Sequence, residues 1–116
     1  MELQDRIQAL QAALDKVNDA LAALDNAPDG LAATAQVDAQ HALLDSERQQ
    51  LGFEIGNLQM AIGEVREIEP DVAARIQTLS AELGRIVVRE ATVTAALDFA
   101  NAVLEKASDI RRQITG

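Results

Sequence analysis

Apolar residues recur along this chain with the period of a helix. Leu3, Ile7, Leu10, Leu14, Val17, Leu21 and Leu24 advance in steps of four and three. That is an a/d heptad seam, and it predicts a first helix over about 2–25. The seam stops at Asp25-Asn26-Ala27-Pro28-Asp29-Gly30. Pro28 lacks the amide that would continue a helix, and Asn, Asp and Gly favour turns, so 26–30 reads as a turn. Asp29 and Thr34 are competing N-caps for the next helix.

A second helix is predicted over about 31–68. Val37, Leu44, Leu51, Leu58 and Val65 occupy d, and Ile55 and Ile62 occupy a. The same register puts His41 and Arg48 at a. Ile68-Glu69-Pro70-Asp71 then marks a turn at 69–70, because Pro disfavours helix in the residue before it and suits the first turn of a new one. A third helix is predicted over about 71–114. Its register is Val72, Ile76, Leu79, Leu83, Ile86, Val93, Leu97 and Leu104, with Glu90 at a. No strand-like alternation occurs. The expected fold class is all-α, a single helical-bundle domain spanning 1–116.

At ~1.5 Å per residue these helices measure roughly 35, 55 and 65 Å. Short connections make neighbours antiparallel. Helix 1 can then cover helix 2 only to about residue 53. The expected architecture is a short helix 1 packed on a long helix 2–helix 3 coiled-coil hairpin, elongated, with an arm ending at Pro70.

Second stripes mark faces that the hairpin would not cover. On helix 2, Phe53, Gly56, Met60 and Gly63 repeat at three, four and three. On helix 3, Ala73, Ser80, Gly84, Val87 and Ala91 form a stripe of mostly small residues. Gly within a helix costs about 1 kcal/mol against Ala, so several on one face suggest a closely approaching helix. Ala96, Phe99, Val103 and Ile110 form a further stripe where helix 1 should dock. The arm's stripe has no such owner. A bend at Gly52 or Gly56, or a displaced helix 1, would bury it internally; a heterologous helix could cover it. The reading adopted is a homodimer through Phe53, Gly56, Met60, Gly63, Ala73, Ser80, Gly84 and Val87. Arg48 and Glu90 fold opposite each other about the turn and are expected to pair, fixing register.

Composition narrows the function. The 116 residues include no Cys and one His, and the net charge is −9. Zero Cys excludes disulfides, thiolate metal sites and Cys nucleophiles. The deficit of basic residues argues against nucleic-acid binding. No apolar run is long enough to span a membrane. No secretory signal is visible after Met1, so a cytoplasmic location is expected. The charge is uneven: 1–30 carries −4, 31–69 carries −5, and 70–116 is neutral. Helix 3 can therefore lie against two acidic neighbours.

His41 raises the idea of a histidine phosphorelay bundle. Its surroundings, Ala39-Gln40-His41-Ala42-Leu43, lack the basic residue and Gly that such sites carry just after the His. A partly wet seam position is the simpler reading. Metal-ligand spacings are absent, and no nucleophile sits beside a base. The expectation is a non-enzymatic coiled-coil interaction or scaffold protein with no cofactor. It would act as a homodimer and present helical surfaces to a protein partner; a secretion-chaperone-like binder of a partner helix is a first alternative. A surfactant-like protein coating a granule or lipid surface is a second, though such proteins need no narrow heptad seam.

Overall fold

The computed structural model describes residues 2–26, 34–60, 67–90 and 92–115. Gly63, Val65, Ala91 and the core of the expected turn at 26–30 lie outside them. Among the described residues there are four helices and no strand. The all-α class therefore holds, and the expected count of three is corrected. Helix α1 runs Leu3–Asp25, α2 Thr34–Gln59, α3 Pro70–Arg85 and α4 Val93–Thr115.

The ends follow local chemistry. The Glu2 backbone N–H donates to Asp5 Oδ2 at 3.3 Å, satisfying a donor that would otherwise be free at the N-terminus of α1. Pro70 opens α3, where its missing amide costs nothing, and Asp71 sits beside it in the first turn.

The expected third helix is two helices. The chain leaves α3 at Ile86, whose backbone is extended (φ −72°, ψ 122°), and re-enters helix at Val93. Two features make the break. Ile86, Val87 and Val88 are consecutive β-branched residues, which lose χ1 freedom in a helix. Thr92 then acts as N-cap: its Oγ1 accepts the Ala95 N–H at 3.1 Å, and its carbonyl accepts the Ala96 N–H at 3.0 Å.

The break changes the packing. Helices α1 and α4 form the central pair, and α2 and α3 flank it. Each flanking helix packs on both central ones, and among the described residues the backbones of α2 and α3 do not come close to each other. The expected helix 2–helix 3 hairpin is thus replaced. Folding α3 back buries Ile76 and Leu83, which a projecting arm would cover along one stripe only. Side-chain pairs set the directions. Glu82 of α3 meets Lys106 of α4, while Val72 shares a groove with Ile114, so these helices are antiparallel. Arg6 of α1 lies in that same groove, and Lys16 sits over the Phe99 ring, so α1 also opposes α4. The result is an up-down-up-down bundle.

The core is built as much from Ala as from Leu. Ala13, Ala20, Ala96, Ala100 and Ala107 are all buried with Leu10, Val17, Val103 and Ile110. On α1 the buried positions 6, 10, 13, 17, 20 and 24 form a seam beside the leucine seam. Leu3, Ile7 and Leu14 are only partly buried. Small side chains on both faces suit a close α1–α4 approach. The Ala96, Phe99, Val103 and Ile110 stripe is buried on the central helix pair. The molecule is elongated, 51 × 24 × 17 Å between Cα extremes. Its radius of gyration, 15.2 Å, exceeds the about 13 Å of a compact chain this long.

Candidate functional site

Helix α2 and the residue just past its end carry the most exposed large apolar side chains among the described residues. Phe53 is 67% exposed and Met60 79%. They lie seven residues apart on one helix face, with Gly56 between them. Nothing lies within 4 Å of where a Cβ on Gly56 would stand. The opposite face of the same helix is anchored by Leu44, Leu51 and Ile55, all buried. The sequence pattern thus places two apolar stripes on α2, and the described residues cover one.

The other expected interface residues do not join this surface. Ala73 and Ser80 are half-buried on α3, which packs on the far side of the α1–α4 pair. The Ser80 Oγ is buried and has no hydrogen-bond partner among the described residues. Gly84 is exposed with open space beside it, and Val87 is 59% exposed in the break. The expected single face therefore divides into an α2 surface and a separate surface at the α3–α4 break. Gly63 is outside the described residues.

The expected Arg48–Glu90 pair is corrected too. Arg48 pairs with Asp45 on its own helix. Glu90 lies exposed in the break, lining a groove with Arg89 and Asp98. The two could meet only if α2 and a continuous helix 3 formed a hairpin, and they do not.

A different polar tie joins the helices. Glu47 of α2 is only 4% exposed. Its Oε1 accepts from Ser108 Oγ at 2.6 Å and from Arg111 Nη2 at 3.1 Å, and its Oε2 accepts from Arg111 Nε at 2.7 Å. The hydrogen bonds to Glu47 hold the Arg111 guanidinium above its ordinary pKa, against a smaller opposing effect of burial. Three donors occupy the two carboxylate oxygens, so the group is built to hold position rather than to move protons. The sequence carried a signal for it. Glu47 falls three residues after Leu44 and four before Leu51, on the buried face. Arg111 falls four after Ala107 and three before Ile114.

His41 is partly exposed, and its Nε2 lies 3.2 Å from Asp25 Oδ1 at the end of α1. This contact ties α2 to α1. Among the described residues, no group of three or more His, Cys, Asp or Glu side chains could hold a metal ion. No described helix is long and apolar enough to cross a membrane. Comparison of the chain with protein-family models, with curated proteins and with solved structures finds no match.

Proposed function

We propose that this chain is a non-enzymatic helical interaction protein that acts as a homodimer, joined through the outer face of α2. The observation that carries this reading is the exposure of Phe53 and Met60 on either side of the open Gly56. The chain has only two Phe and two Met, and one of each stands on this face. Aromatic residues and Met are enriched in protein interfaces, and adjoining exposed apolar side chains favour association. Gly56 lets a second helix backbone approach closely. A copy of the same face meets this need with a two-fold, self-complementary contact. A bundle anchored by α1 and α4 would remain free to offer its other surfaces to a protein partner.

The test is the mass in solution of the full chain and of the Phe53→Arg and Met60→Arg variants. The reading requires twice 12.4 kDa for the native chain and 12.4 kDa for the variants. A native chain at 12.4 kDa at all concentrations contradicts it. Flotation with lipid vesicles at that mass would support a surface-coating role instead.

A further inference from the structure

Phe53, Gly56 and Met60 are the last steps of a longer seam on α2. Counted back from Phe53 in alternate steps of four and three, the same face carries Gln49, Ser46, Ala42, Ala39 and Ala35. These are a and d positions of a second heptad, on the side of α2 opposite the buried Leu44 and Leu51. All are exposed except Gly56, which is half-buried with open space beside it. Helical bonding reaches the last of them, since the Met60 N–H donates to the Gly56 carbonyl at 3.0 Å. The seam is about 38 Å long. It holds no Asp, Glu, Lys or Arg, in a chain of which 25% is charged.

We propose that this seam is the dimer contact over its whole length, and that two copies pair their α2 helices antiparallel, with the two-fold axis between residues 47 and 48. That one register sets Met60 opposite Ala35 of the second copy, Phe53 opposite Ala42, and Gly56 opposite Ala39. Each large side chain meets a methyl group, so the helix separation is even along the contact. A parallel pair would set Phe53 on Phe53 and Met60 on Met60 at one end, and alanines on alanines at the other. The large pairs would then hold the helices apart where the small residues need close approach.

The polar residues at the centre fit the same register, which sets Ser46 opposite Gln49. Gln49 Nε2 donates to Asp45 Oδ2 at 3.3 Å, which leaves the Gln49 amide oxygen as an acceptor. Ser46 Oγ accepts from Gln50 Nε2 at 3.5 Å, which leaves its O–H as a donor. Across the two-fold, the Ser46 hydroxyl of each copy can donate to the Gln49 amide oxygen of the other. Charge agrees with this pairing. Each copy carries −9, so association must keep carboxylates apart. Beside the seam, Asp38 comes opposite Gln59 and Asp45 opposite Gly52, so no acid faces an acid. Length argues for the full contact. Phe53 and Met60 alone span about 11 Å of helix, whereas a stable interface needs about 800 Å² from each partner. This pairing rests on the homodimer reading and deepens it by fixing direction and register.

The chain has no Cys, so single thiols report the pairing. Ala39→Cys and Gly56→Cys are made as separate variants. In the antiparallel pair each thiol stands about 26 Å along the helix from its own equivalent, too far for a disulfide, and next to the other variant's thiol. Each variant oxidised alone should stay unlinked. The two mixed in urea, refolded together and oxidised should give a disulfide-linked dimer from about half of the chains, the share of mixed pairs. Ala35→Cys with Met60→Cys should behave in the same way. Sedimentation of the native chain and of each sample before oxidation gives the mass. A dimeric mass with either variant of a pair linking to itself overturns the antiparallel register and leaves the homodimer reading standing. A dimeric mass with no linked product in either mixture does the same. A native mass of 12.4 kDa at all concentrations overturns both.

Discussion

Arg111 of α4 grips the buried carboxylate of Glu47 on α2 with both Nε and Nη2, at 2.7 and 3.1 Å. The two residues are unequally buried: the side chain of Glu47 is 4% exposed and that of Arg111 18%. This asymmetry sets the cost of breaking the pair. Arg111→Ala leaves a desolvated carboxylate with only Ser108 as donor. Its expected cost is about 3–5 kcal/mol. Glu47→Ala leaves a guanidinium that can turn toward water, and about 1.5–3 kcal/mol is expected. Urea unfolding of both variants checks the order. Equal costs, or the reverse order, would show that the tie is not held as described.

Thr92 is the cap that starts α4. Thr92→Ala should lower stability by about 1 kcal/mol, and Thr92→Ser, which keeps the acceptor oxygen, by much less. Thermal or denaturant unfolding at fixed protein concentration measures the difference. Identical stability of the two variants would mean that the Thr92 hydroxyl has no part in the break.

The α1–α4 contact depends on small side chains. Ala100 is fully buried there, whereas Ala22 is exposed on α1. Ala100→Leu should cost at least about 1–3 kcal/mol through overpacking. Ala22→Leu should stay within about 0.5 kcal/mol of the native chain. A harmless Ala100→Leu would mean that the central helices have room to spare.

Arg48 and Glu90 serve as a control. Neither is buried, and they do not meet. Arg48→Ala and Glu90→Ala should each change stability by less than about 0.5 kcal/mol, and the double variant should show the sum. A coupling energy above about 0.5 kcal/mol in the double-mutant cycle would place the two side chains in contact after all.

Much of this fold is legible in the sequence, and the hidden parts have identifiable causes. The leucine heptad of α1 and the turn before α3 stand out because large apolar residues and Pro dominate their surroundings. The break between Arg85 and Val93 is hidden because the apolar periodicity continues across it. Only the local cues, three β-branched residues and a capping Thr, mark the stop. The Ala seam of α1 is hidden for another reason. Ala13 and Ala20 are too small to stand out in a hydrophobic pattern, yet they lie in the core. At the polar tie, residue 47 and residue 48 differ by one helix step. The heptad count chose Arg48, whereas burial falls on Glu47. The exposure of Phe53 and Met60 results from their position opposite Leu51 and Ile55. Their cover is not written in one chain.

The homodimer reading stands or falls on whether two copies meet through the outer face of α2. Sedimentation equilibrium of the native chain and of Met60→Arg, over a range of concentrations, decides it. A mass of twice 12.4 kDa that falls to 12.4 kDa in the variant is the predicted result. A native mass of 12.4 kDa throughout, or a dimer indifferent to Arg in place of Met60, would contradict it.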